Sequence, residues 1–370
     1  MTEESDRISH INHVHIEGYK SIDNLDIDLL KGLNILIGEN GSGKSNFLDV
    51  VHSSFSKSFK TGPRKIGVFI ETHRGTPILW EYENKSTITN DSLNLNATVS
   101  LSVSNKLISN QQSFPPNETQ WDNTILFFEK LGIKYKPVQK IGFQLPKELS
   151  GNLTYRVVVN RLDYGQPNNF LWTEMENLLI LIRGQENIDR EIVLKNLYFK
   201  TPLKESLCRY SPITDIRFSS NLNIHSDGRT TSIENLYPEF KISNNWVPWS
   251  YLSDGTKRLF YLIYSVCQFE RAIVLIDEPE LGVHPHQFQQ IMAFLKEESA
   301  NKQIIIATHA PEALNILGHD ELDRVIITEY SPKKGTTMRH LSAAQKKKAI
   351  AYATEVGYLS DYWLYSDLEK

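Results

Sequence analysis

The sequence predicts an α/β protein of the P-loop NTPase class. Three stretches carry that prediction: a glycine-rich loop, GENGSGKS, at residues 38–45; an apolar run closed by carboxylates, AIVLIDEPE, at 272–280; and a second apolar run, QIIIATH, at 303–309. The two apolar runs, like LNILI at 33–37 just before the loop, are short and continuously hydrophobic. That is how strands read when they are covered on both faces in a parallel sheet.

The loop comes first. It satisfies G-x-x-x-x-G-K-[ST], with a strand before it and a helical pattern, KSNFLDVV, after it. Gly38, Gly41 and Gly43 let the backbone curl until its N–H groups point at phosphate oxygens. The helix that begins near Lys44 adds the positive end of its dipole. Lys44 is expected to reach the β- and γ-phosphates, and Ser45 to offer its hydroxyl to Mg²⁺. The expected nucleotide cradle is therefore Gly38, Glu39, Asn40, Gly41, Ser42, Gly43, Lys44, Ser45 and Asn46.

The second run places Asp277 and Glu278 at the C-terminal end of a strand, where ligands bind in open α/β sheets. Asp277 is expected to hold the Mg²⁺, directly or through water, and Glu278 to polarise the attacking water. The third run ends on His309. A lone histidine there would ordinarily be a plain loop residue, but one strand beyond Asp277 it can reach the same crevice and hydrogen-bond a γ-phosphate. A fourth stretch, YLSDGTKRLF at 251–260, reads as a helix capped by Ser253. Such a helix start, with Ser253 and Gly255, can take a phosphate.

The order of these four pieces resembles that of the ATP-binding-cassette ATPases, in the soluble branch that includes RecF, SMC heads and the OLD-like ATPases. GENGSGKS, LSDGT, IVLIDEPE and ATHAP stand where that family has its Walker A loop, signature, Walker B strand with glutamate, and switch histidine. Residues 13–50 look like the family's opening hairpin, with Tyr19-Lys20-Ser21 at its turn, and EPELGVHPHQFQQI resembles a run of the OLD-like members. The resemblance covers residues 11–60 and about 245–330. Two positions depart from it: Asp254 replaces a common glycine and Thr256 a common glutamine. The family's Gln loop is not placed; Gln139 and Gln144 are its candidates. The resemblance implies two heads sandwiching two ATP molecules, Ser253 and Gly255 of one copy capping the γ-phosphate held by Lys44 of the other.

The chain of 370 residues, 40% hydrophobic and 23% charged, has ample material for a core. Its net charge of −4 gives no general pull on nucleic acid, so DNA contact would need local patches such as Lys195, Lys200, Lys204 and Arg209, or Lys346-Lys347-Lys348. Two cysteines without a CxxC pair argue against a zinc ribbon or disulfide framework. His13 and His15 share one strand face, but with no third ligand in view a structural role is expected. The N-terminus has no apolar signal core and no run approaches the ~20 residues of a membrane span, so a cytoplasmic protein is expected.

The expected architecture is an ABC-type ATPase head, a mixed sheet core plus an antiparallel β subdomain, from residues 1–105 and 212–345. Residues 106–211 are expected to form an inserted, largely helical lobe, with helical patterns at 121–131, 170–182 and 188–198, and 346–370 a tail. Polar residues 105–123, with Pro115-Pro116, read as a loop. A strand at 324–327 is expected to close the sheet, followed by a helix over 343–356. The resemblance implies an ATP-driven dimer or oligomer, and the tail, which resembles those of stand-alone bacterial ATPases encoded beside a separate effector, implies an antiviral-defence ATPase controlling a partner such as a nuclease. A RecF-like repair protein bound to DNA, and a slowly hydrolysing nucleotide-gated scaffold, are the alternatives.

Overall fold

A computed structural model describes residues 6–54, 62–84, 87–89, 92–94, 97–104, 106–113, 133–134, 139–141, 153–158, 161–162, 190–196, 198–219, 221, 223–226, 230–268 and 273–365. The chain divides into two compact units: residues 1–143, 270–281 and 295–370, and residues 144–269 and 282–294.

The first unit holds two sheets. In one, β1 (Asp6–Tyr19) pairs antiparallel with both β2 (Ile22–Asp28) and β4 (Lys65–Thr72); β5 (Pro77–Asn84), β6 (Ala97–Val103) and β7 (Lys106–Ser113) continue the meander. β2 alternates buried and exposed residues, as expected of a sheet with one face on the core. The other sheet has the order β8 (Gln139–Ile141), β9 (Ile273–Asp277), β10 (Gln303–Thr308), β3 (Leu33–Ile37), β11 (Val325–Ser331) and β12 (Gly335–His340). Every neighbour pair in it is parallel except the β11–β12 hairpin.

All five residues of β3 and all six of β10 are buried, which is why these strands carry no alternation. Helix α1 (Lys44–Ser54) buries Phe47, Leu48, Val50 and Val51 in the same core cluster as Leu36, Leu275, Ile305 and Ala307. Gln303 ties the two sheets together. Its amide oxygen accepts from Ile11 N–H at 2.8 Å, and its amide nitrogen donates to Ile11 C=O at 2.7 Å and Leu30 C=O at 3.0 Å. The β1–β2 ladder begins only at His13, so a side chain supplies partners for the stretch of β1 before it.

Three expectations meet a different structure. Residues 106–113 are a strand rather than a loop. KLISNQQS is polar because β7 is the last strand of its sheet, with Leu107 57% exposed, and an edge strand is held by its backbone ladder rather than by an apolar face. The sheet therefore runs past residue 105. The strand expected at 324–327 starts at Val325 and lies beside β3, while β12 takes the edge. Within 106–211 the described residues carry strands as well as helices Arg190–Asn196 and Thr201–Tyr210; the helical patterns at 121–131 and 170–182 lie outside the described residues. The helix expected over 343–356 is α2 (Ala343–Glu355), opened by a capping box between Ser342 and Gln345; α3 (Leu359–Tyr365) follows.

The second unit contains a three-stranded antiparallel sheet of Ile213–Phe218, Pro238–Ile242 and Asn245–Pro248, and a four-stranded sheet in the order 161–162, 153–158, 230–236, 223–226. Its core is aromatic: Phe240 lies 5.0 Å from Phe260 edge-on, and Trp249 5.5 Å from Phe260. Among the described residues no helix is long and apolar enough to cross a membrane.

Candidate functional site

The register of the parallel sheet assembles the site. Asp277 is level with Ala307, and Thr308 with Ile37, so three strands end side by side. The residues just beyond those ends are Glu278, His309 and Gly38. Ends of adjacent parallel strands form the crevice in which open α/β sheets bind ligands.

The loop after β3 is closed by Ser42 N–H donating to Glu39 C=O at 3.2 Å, and α1 begins with Phe47 N–H on Gly43 C=O at 3.0 Å. Glu39, Asn40 and Gly41 are exposed, Gly38, Ser42 and Gly43 buried. Lys44 is 5% exposed and its ammonium donates to Gly38 C=O at 2.7 Å and Glu39 C=O at 2.8 Å. It thus sits inside the loop's curl, a cation among backbone dipoles. Two glycines are required by close approach. A Cβ on Gly38 would lie 2.0 Å from Thr328 C=O, and one on Gly43, at φ +102°, 2.0 Å from Thr336 Oγ1.

Ser45, on the first turn of α1, donates its hydroxyl to Asp277 Oδ1 at 3.0 Å. These are the two residues expected to share a metal. Both offer hard oxygen donors beside the phosphate loop, the chemistry Mg²⁺ prefers when it is held by one or two protein groups and substrate phosphates. Asn46 is turned elsewhere: its amide donates to Ser21 Oγ at 2.8 Å. Ser21 in turn shares a 2.8 Å hydrogen bond with Thr336 Oγ1, which donates to Ser42 C=O at 2.9 Å. The hairpin turn at Lys20-Ser21 is therefore stitched to the loop from behind. Lys20 adds a 2.9 Å bond to Asp49 on α1, and that carboxylate holds its ammonium above the usual lysine range.

Glu278 stands at φ +48°, in the left-handed region that a side chain rarely adopts. Its N–H still donates to Ala307 C=O at 2.8 Å, one step beyond the ladder. The main chain turns sharply there and aims the carboxyl outward, with 36% of it exposed. Strain of this kind persists where the surroundings over-determine it, and clusters at working sites. His309 Nδ1 lies 3.9 Å from Glu278 Oε1, beyond a hydrogen bond, but 3.0 Å from Glu280 Oε1. The same Glu280 oxygen accepts from Thr308 Oγ1 at 2.7 Å and His309 N–H at 2.9 Å.

Ser253 caps the helix Asp254–Gln268 in the second unit, accepting from Thr256 N–H at 3.2 Å. Thr256 adds a 2.9 Å hydroxyl contact with Ser253, which gives the departure from glutamine a local role. Ser253 is exposed and Gly255 half-buried. Gln139 opens β8, and Gln144 lies outside the described residues. Lys195, Lys200, Lys347 and Lys348 are exposed, whereas Lys204 pairs with Asp215 and Lys346 with Asp323. His13 and His15 are bound to Asp26, Asp28 and Glu17, and among the described residues no three His, Cys, Asp or Glu side chains are grouped to hold a metal.

Sequence reasoning missed Glu280, Thr308, Ser21 and Thr336. Glu280 had a signal, being the second glutamate of DEPE at the end of the same strand. Thr336 had none: a threonine in a distant hairpin.

The chain is similar to known proteins in sequence and in fold. Residues 33–315 match the family described as "AAA domain, putative AbiEii toxin, Type IV TA system". The Septu protein PtuA of Bacillus thuringiensis is 24% identical over 348 residues, covering 86% of this chain and 76% of that one. An ATP/GTP phosphatase of Helicobacter pylori is 22% identical over 339 residues, 83% of this chain and 87% of that one. The solved Smc head domain with an extended coiled coil from Pyrococcus furiosus, bound to the C-terminal domain of ScpA, covers 94% of this chain and 100% of that one, with a TM-score of 0.54 and 13% identity. At that identity the likeness is one of fold.

Proposed function

This chain belongs to the family described as AAA domain, putative AbiEii toxin, Type IV TA system, and is an ABC-type ATPase of the RecF/SMC clan; from that premise we propose that it works as an ATP-driven dimer controlling a separate effector in antiviral defence. The observation that supports the catalytic part best is the convergence of Ser45, Asp277, Glu278 and His309 at the ends of three adjacent strands. The likeness to a Septu protein along most of both chains supports the defence role.

In this reading the loop of residues 38–46 cradles the triphosphate, and Lys44 swings from its own carbonyls to the β- and γ-oxygens. Ser45 and Asp277 hold Mg²⁺, which supplies charge neutralisation on the phosphates. Glu278 orients and polarises the attacking water. His309 meets the γ-phosphate end. Ser253 and Gly255 cap the γ-phosphate of the neighbouring copy, so bridging contacts last only while that phosphate does.

Glu278→Gln in the full chain tests the proposal. It should bind ATP with unchanged affinity, lose turnover by about 10²–10³-fold, and double its native mass on adding ATP. Normal hydrolysis by this variant would remove Glu278 from the role. Turnover stimulated by DNA, with a steep salt dependence, would move the biological role to repair.

A further inference from the structure

Glu280 Oε1 takes two hydrogen bonds and lies beside His309 Nδ1, and no described residue explains its second oxygen. Oε1 accepts from Thr308 Oγ1 (2.7 Å) and His309 N–H (2.9 Å), and His309 Nδ1 lies 3.0 Å from it. Oε2 is buried and has no hydrogen-bond partner among the described residues. The carboxyl is only 11% exposed. A buried carboxylate oxygen without a hydrogen-bond partner destabilises the fold. A neutral residue would avoid that cost, so stability alone does not account for a glutamate here.

We infer that Glu280 is a positioning residue that fixes the ring and tautomer of His309. At 3.0 Å a carboxylate oxygen would repel a bare Nδ1 lone pair, which favours the ring proton on Nδ1. Nε2 is then the nitrogen presented to whatever enters the crevice. The backbone bond from His309 N–H to the same oxygen locks the main chain and the ring together. Without it, an imidazole that is 41% exposed would turn between rotamers. Glu278 lies 3.9 Å from the same Nδ1 and stays outside hydrogen-bond range. The two glutamates of DEPE thus divide the work, Glu280 on the histidine and Glu278 on the water. A partner of this kind sets which ring nitrogen does the chemistry in other histidine sites.

The inference rests on the ATPase reading for its purpose, but its test does not. Nitrogen-15 spectra of histidine-labelled full chain at pH 8.5, with His309→Gln to assign the signal, report the tautomer directly. The wild type should show His309 protonated on Nδ1. Glu280→Ala should move it toward Nε2–H and lower kcat about 10- to 100-fold, the KM for ATP staying within about twofold. Glu280→Gln keeps an acceptor oxygen and should restore the tautomer and part of kcat. A wild-type His309 protonated on Nε2 overturns the inference, even if Glu280→Ala fails to fold. So does an unchanged tautomer or kcat in Glu280→Ala. Absence of any ATP turnover in the wild type would instead strike at the ATPase reading and leave the tautomer result standing.

Discussion

Ser45 Oγ lies 3.0 Å from Asp277 Oδ1, although 232 residues separate them in the chain. One is at the first turn of the helix after β3, the other at the tip of β9, and β10 runs between the two strands. If both act on one Mg²⁺, their effects should not add. Ser45→Ala and Asp277→Asn should each raise the Mg²⁺ concentration that half-saturates turnover by about tenfold or more. The double variant should be little worse than Asp277→Asn alone. Strict additivity in a Mg²⁺ titration would separate the two residues.

Glu278 carries a second, opposite consequence of its φ of +48°. A side chain in that region costs of order 1 kcal/mol, which glycine does not incur. Glu278→Gly should therefore raise the thermal midpoint by about 1–2 °C while abolishing turnover. A lower midpoint, read by calorimetry, would mean that the carboxyl contributes more to folding than its backbone costs.

The loop's glycines predict a graded series. Nothing lies within 4 Å of a Cβ at Gly41, whose φ is +81°, so Gly41→Ala costs only the backbone term, about 1–2 kcal/mol. At Gly38 the new Cβ meets Thr328 C=O at 2.0 Å, and main chain in a central strand cannot step aside. Gly38→Ala should cost more than about 3 kcal/mol, or prevent soluble expression, and thermal melts of the two variants rank them. Equal midpoints would refute the close-approach argument.

Much of this site is legible because its parts are local. A glycine loop between a strand and a helix, and carboxylates at the end of a buried run, declare themselves through residue type and spacing. The ladders then add what spacing cannot: that β10 lies between β3 and β9, so that His309 falls beside Glu278 and Gly38. The edge strand at Lys106–Ser113 was hidden because a backbone ladder leaves no mark on polar residues. Ser21 and Thr336 were hidden for another reason. Their mutual bond spans 315 positions, and a hydroxyl has no period.

Glu17 gives a pH dependence. Hydrogen bonds first from His15 and then from Arg64 hold its carboxyl below the ordinary glutamate value of 4.5. A depressed native pKa favours the folded state above the unfolded value, and that contribution is lost as pH falls through the native one. The relevant window therefore lies below about pH 4.5. Glu17→Gln should flatten the fall of the thermal midpoint there and leave its value near pH 7 slightly lower, since the ion pairs are partly exposed and screened. An identical acid limb in both proteins would show that the His15–Glu17 and Glu17–Arg64 bonds do not persist in solution.

Gln303 separates stability from catalysis. Its amide is 1% exposed and serves Ile11 N–H, Ile11 C=O and Leu30 C=O. Leucine fills similar space but leaves the two Ile11 groups without that partner in a dry interior, at about 1–3 kcal/mol each before relaxation, while Leu30 C=O keeps its bond from Asn34. Gln303→Leu should thus destabilise the first unit by about 2–5 kcal/mol, seen as a marked drop in thermal midpoint. Turnover per folded molecule should hold at low temperature. The clamp acts at the start of β10, whereas His309 follows its far end, where Ala307 and Thr308 are held by the ladder to Leu36 and Ile37. A Gln303→Leu protein that melts normally would mean that the stretch of β1 before His13 finds other partners. One that melts early and also turns over slowly while folded would mean that the sheet passes strain along β10 to the histidine.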